Sequence, residues 1–105
     1  MPNKLISGVI IEKSESLTLE EFSYATKTTR ELIVEMVDLQ LIQPEGKKPE
    51  EWKFNSISLK RGRIASSFYH DLGVNMPGVA LALELLDKIE YLRQEISIYQ
   101  KVGKK

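Results

Sequence analysis

A chain of 105 residues has room for one domain, and burying about 60–70% of its unfolded surface lets it fold without disulfide or metal staples. Hydrophobic residues at 42% and charged residues at 29% place it among ordinary globular proteins and exclude disordered or fibrous classes. Fifteen basic and fifteen acidic side chains cancel, which counts against nucleic-acid binding by bulk charge, and the lack of cysteine excludes thiol catalysis and cysteine-ligated zinc while fitting a reducing cytosol.

The apolar run Leu5-Ile6-Ser7-Gly8-Val9-Ile10-Ile11 is too short for a signal peptide and meets Glu12 at once. No later stretch reaches membrane-spanning length, so a cytoplasmic protein with no membrane contact is expected. Residues 5–12 read as a strand, closed by the polar turn Lys13-Ser14-Glu15-Ser16. Thr18-Leu19-Glu20-Glu21 has capping-box spacing: the Thr18 hydroxyl accepts from the Glu21 amide while the Glu21 carboxylate reaches back to the Thr18 amide. Leu19, Phe22 and Ala25 form the inward face of the helix it opens. Thr28-Thr29-Arg30-Glu31 repeats the spacing, so a second helix is expected after a very short turn, running to about Gln40. Two helices so joined suggest helix-turn-helix.

Pro44, Gly46 and Pro49 then break the chain, and Trp52-Lys53-Phe54 alternates apolar and polar as a half-buried strand does. Residues 42–54 are therefore expected to form a two- or three-stranded β wing. Asn55 caps a third helix with Ile57, Ile64, Phe68 and Leu72 at helical spacing as its buried positions. Gly73 ends it. Asn75, with Pro77 tolerated in the first turn, opens the longest helix, to about Lys101. The expected fold is mainly α. One domain spans 1–105, divided into an N-terminal strand and turn (1–16), a winged helix-turn-helix (17–74) and a C-terminal helix (75–101).

This order of elements resembles the DNA-binding head of MerR regulators, and Leu41-Ile42-Gln43-Pro44 is similar to the segment that leads from their recognition helix into the wing. Downstream the likeness narrows. Trp52-Lys53-Phe54-Asn55 resembles the Trp-x-Phe-Asp stretch of the CbpM family of chaperone modulators, and residues 72–83 resemble its Trp-Pro-Gly-Ile-Ala-Val-Ala-Leu signature. Leu85-Leu86-Asp87-Lys88-Ile89 matches the Leu-Met-Asp-Asp-Ile that follows. The resemblance covers residues 17–96. Met76 replaces the signature tryptophan, so no partner contact of that ring carries over. What the resemblance implies is a modulator that binds the J-domain of a DnaJ-like (CbpA-type), nucleoid-associated co-chaperone and keeps it from stimulating DnaK.

On the second helix Leu32, Ile33, Met36 and Val37 fall toward the core, while Glu31, Glu35 and Asp38 share the opposite face with Val34 and Leu39 beside them. Carboxylates facing phosphates oppose duplex binding, which depends on neutralising those phosphates. The same face, with Val34, suits a basic partner helix, and the resemblance supplies one, since J-domains carry a basic second helix. The plain alternative is the solvated face that any surface helix has. Lys47, Lys48, Lys53 and Arg61, with Lys60 and Arg63, form a basic cluster that Glu50 and Glu51 only partly offset. Weak contact with the DNA backbone is the most that this cluster supports, and scattered solubilising lysines are the favoured account of it. No Arg, Asn or Gln cluster sits on the recognition face to read bases. A DNA-binding MerR-like regulator is thus the second reading.

In the last helix Ala82, Leu85, Ile89, Leu92, Ile96 and Tyr99 are spaced three and four apart, a heptad seam, with Val79, Leu83 and Leu86 as a second apolar line. One line covers the core and the other is left for a second copy, giving a homodimer through Leu85, Ile89, Leu92 and Ile96. The seam spans under three heptads, so packing back onto its own domain is the competing account. No catalytic constellation appears: His70 is the one histidine, leaving a single candidate base and no metal-ligand set. Isolated glycines make neither a P-loop nor a dinucleotide fingerprint, so no cofactor and no enzymatic activity are expected. Trp52 and Phe54 read as core packing rather than an exposed hot spot.

Overall fold

In the computed structural model of the chain, Lys4–Ile6, Val9–Ile11 and residues 16–103 are described. Two short strands, β1 (Lys4–Ile6) and β2 (Val9–Ile11), pair antiparallel with Leu5 opposite Ile10. The single strand expected over 5–12 is therefore a pair of short strands. Of the expected turn at 13–16, all but Ser16 lies outside the described residues.

Helix α1 (Leu19–Thr26) opens on the predicted box. The Glu21 amide donates to the Thr18 hydroxyl at 3.2 Å, and the Thr18 amide donates to the Glu21 carboxylate at 2.9 Å. Leu19, Phe22 and Ala25 are buried as their spacing requires. The second box does not form. Helix α2 (Arg30–Asp38) is capped by Thr29, whose hydroxyl accepts from the Leu32 amide. Thr28 is instead buried, and its hydroxyl donates to the Ser66 hydroxyl (2.9 Å), which donates to the Thr26 carbonyl (2.9 Å). A buried hydroxyl needs a partner, and the third helix supplies it. Both helices end in Schellman turns on non-glycine residues in the left-handed region, Lys27 (φ 55°) and Gln40 (φ 64°). α2 thus stops two residues before the predicted limit.

The β wing expected at 42–54 is not present as strands. Single antiparallel bridges join Glu45 to Lys53 and Leu17 to Phe54, and a 3-10 turn occupies Pro49–Glu51. The reason is local. Extending the Glu45–Lys53 bridge would need the Glu51 amide, but that group donates to the Lys48 carbonyl at 2.8 Å and the Trp52 amide to Pro49. The alternation at 52–54 still buries its apolar residues. Trp52 packs edge-on against Phe54 (centroids 5.9 Å apart), and Phe54 stacks on Phe22 at 4.2 Å.

Helix α3 (Ser56–Ser66) starts at Asn55, whose side chain accepts from the Ser58 amide at 2.9 Å. Its buried face differs from the expected one. Ile57 is 69% exposed and Leu72 is also exposed, Ile64 and Phe68 are partly buried, and the inward positions are Ser58, Leu59, Gly62, Ala65 and Ser66. Small residues win because α1 comes close: a Cβ on Gly62 would lie 2.6 Å from Phe22 Cζ. Helical spacing favours the large apolar side chains as core, but a face that must admit a ring selects for absence of volume. A π-helical turn, Ser67–Asp71, follows, and Leu72 beyond it is exposed. Gly73 (φ 71°) closes it.

Helix α4 (Met76–Gly103) is the longest, and the Asn75 side chain accepts from the Gly78 amide at 2.8 Å at its start. Met76, Val79 and Leu83 enter the core formed by α1, α2, α3 and residues 52–54. From Glu84 to Val102 every residue is exposed. Asp87 still pairs with Arg61 of α3, and beyond it, at 1.5 Å per residue, about 22 Å of helix stands clear of the head.

Candidate partner-binding surfaces

Three surfaces arise from these elements. On α2 the inward side is Ile33 and Met36, fully buried, with Leu32 and Val37 partly so. Glu31, Glu35 and Asp38 are left exposed, and among the described residues none of them is in an ion pair. Val34 is half-buried against the core, so it offers only an edge to a partner. The Arg30 guanidinium at the helix start is held by Glu20 at 2.6 Å, which leaves the acidic face uncompensated on that side.

Lys47, Lys48 and Lys53 are exposed on the turn that replaces the wing. Arg61 is not with them. Its Nε donates to the Leu41 carbonyl at 2.7 Å, and its guanidinium pairs with Asp87 at 2.9 Å, tying the end of α2 and α3 to α4. These two bonds take two of the five N–H donors of the guanidinium.

The seam residues Leu85, Ile89, Leu92 and Ile96 are between 48% and 56% exposed. At 100° per residue their stripe lies about 150° around α4 from Met76, Val79 and Leu83, so the core cannot cover both lines. The competing account, packing of the seam onto its own head, does not occur here. Leu86, expected on the inner line, is also exposed. His70 lies beside Tyr69 ring to ring at 5.0 Å and is exposed. Among the described residues no His, Asp or Glu cluster can hold a metal ion, and no helix is long and apolar enough to cross a membrane.

Residues 17–101 match the family described as MerR HTH family regulatory protein. The chain is 53% identical, over 91% of each sequence, to the chaperone modulatory protein CbpM of Coxiella burnetii (strain Dugway 5J108-111). The chain belongs to the CbpM family. The CbpM of Pseudomonas putida (strain W619) is 38% identical over 72% of this chain and 76% of its own length, and that of Pseudomonas entomophila (strain L48) is 38% identical over 69% and 72%. Within this family the departure at Met76 gains a structural meaning. Met76 is 2% exposed, in the first turn of α4, so in this chain the position of the signature tryptophan serves the core. An unbranched thioether fills irregular core space well.

Sequence reasoning missed the cleft between α2 and α4, where Leu39, Ile57 and Leu81 are exposed and Arg61 meets Asp87. The signal available was the 26-residue separation of an Arg–Asp pair, which no periodicity reveals.

Proposed function

We propose that this chain is a chaperone modulator that works by binding and not by catalysis, docking the J-domain of a DnaJ-like co-chaperone on the acidic face of α2 and so limiting its stimulation of DnaK in the cytoplasm. The observation that carries this reading is the exposed, unpaired set Glu31, Glu35 and Asp38 on the helix that follows the tight turn. Those charges repel phosphate and attract a basic helix. The family name agrees with a chaperone partner. A homodimer through α4 accompanies the proposal. Ile89 and Ile96 alternate with Leu85 and Leu92, an a/d pattern suited to two helices. Flanking charges favour an antiparallel pair, because parallel pairing sets Lys88 against Arg93 of the second copy, whereas antiparallel pairing about residues 90–91 sets it against Glu95.

The second reading, a DNA-binding regulator, draws on the exposed Lys47, Lys48 and Lys53. One substitution separates the two. Glu35→Lys weakens J-domain binding several-fold, mainly by slowing association, but strengthens duplex binding if α2 enters a groove. Lys48→Glu is the control, harming only DNA binding. Calorimetry against the J-domain of the DnaJ-like co-chaperone and a gel shift on duplex DNA read both signs, and an unchanged J-domain affinity in Glu35→Lys would reduce the acidic face to solvated surface.

A further inference from the structure

Between the closing turn of α2 and the outer side of α4 lies a cleft of about 430 Å³, walled by Leu39 and Gln40 on one side and by Pro77, Leu81 and Glu84 on the other. A second cleft, of about 340 Å³, opens beside it toward Asn55 and Ile57. Both are bounded by Gln40, Leu41, Arg61 and Asp87, so the two form one trough that the Arg61–Asp87 pair crosses. Leu39, Ile57 and Leu81 are exposed along it. Such apolar side chains grouped around a concavity mark an interaction site more often than scattered ones do.

The trough is continuous with the acidic face. Glu35 lies one turn before Leu39, whose amide donates to the Glu35 carbonyl at 2.9 Å. Charge at the trough is also one-sided in a specific way. Asp87 is neutralised by Arg61, whereas Glu35 and Glu84 have no ion-pair partner among the described residues. Lys88, one turn beyond Glu84, limits the acidic surface along α4.

We propose that this trough seats a basic amphipathic helix of the partner, with Leu39, Ile57 and Leu81 meeting its apolar ridge and Glu35 and Glu84 its flanking cations. A helix in a groove binds through apolar anchors three or four residues apart, and the trough offers separate apolar contacts with carboxylates at the edge. The proposal rests on the reading of a J-domain partner above and adds where the apolar part of the contact lies. It differs from an acidic-face contact alone, because the anchors sit on α3 and α4 as well as α2.

The test uses the full chain and the J-domain of a DnaJ-like co-chaperone. Leu39→Ser removes an anchor without entering the core. The absence of cysteine makes Ile57→Cys and Tyr24→Cys unique sites for a fluorescent label, Tyr24 lining a different cleft. The expected result is that Leu39→Ser weakens the complex tenfold or more, with unchanged circular dichroism. The label at position 57 should respond to the J-domain and the label at 24 should not. Wild-type affinity in Leu39→Ser together with a silent label at 57 would overturn the trough while leaving the J-domain reading in place. No binding by the wild-type chain would overturn both.

Discussion

Gly62 decides how close α1 and α3 can come. A methyl group there would meet Phe22 Cζ at 2.6 Å and Cε2 at 3.0 Å, and the ring cannot retreat, being fully buried and stacked on Phe54. Alanine returns roughly 1 kcal/mol of helix propensity, but overpacking a rigid core costs about 1–3 kcal/mol. Gly62→Ala is therefore expected to lower the urea midpoint and Tm, and an equal or higher midpoint would show that the helices have room. The same scale explains why one capping box formed and its near-copy did not. Thr18 stands at the surface, free to cap, whereas Thr28 is held by Ser66, 38 residues away. Local spacing was legible for both; the long-range partner that claimed Thr28 was not.

At the scale of elements, α4 carries the clearest expectation. Most helical stability in proteins comes from tertiary packing, and after Leu83 the described residues bury no side chain and hold α4 to the head by the Arg61–Asp87 pair. Leu92→Lys should give a folded monomer, because an unpaired charge in an apolar interface costs several kcal/mol. Light scattering reads the mass, and amide exchange should quicken beyond Glu84 while α1 to α3 keep their protection. Wild-type chain that is monomeric at high concentration would remove the dimer. The wing teaches the opposite lesson about elements. The alternation at Trp52-Lys53-Phe54 correctly gave burial, but burial did not require strands. The amides needed for a ladder were taken by the turn at Pro49–Glu51, and two bridges held the apolar side chains in place.

For the whole molecule, a net charge of zero hides the one-signed face of α2, whereas the 45–53 turn balances Lys47, Lys48 and Lys53 against Glu45, Glu50 and Glu51. A one-signed patch steers a partner of opposite charge, and steering is screened by salt. Raising ionic strength is expected to slow association with the J-domain far more than it speeds dissociation, as stopped-flow kinetics would record. Glu35→Lys should flatten that dependence, and Leu39→Ser should leave its slope unchanged while raising the dissociation rate. A salt-independent association rate would deny the acidic face its role.

By itself the sequence determined the number and order of the helices, the caps at Thr18, Asn55 and Asn75, the breaks at Gly73 and Pro44, and the aromatic residues of the core. These are local matters, set within one helical turn or by one residue's conformational range. Its motifs also carried the family. Only the tertiary structure decided which face of α3 is buried, that Arg61 pairs with Asp87, that the seam of α4 lies away from the head, and that Leu39, Ile57 and Leu81 share a trough. Each depends on a neighbour distant in sequence, Phe22 for Gly62 and Asp87 for Arg61, and the periodicity of a single segment holds no information about what another segment brings to it.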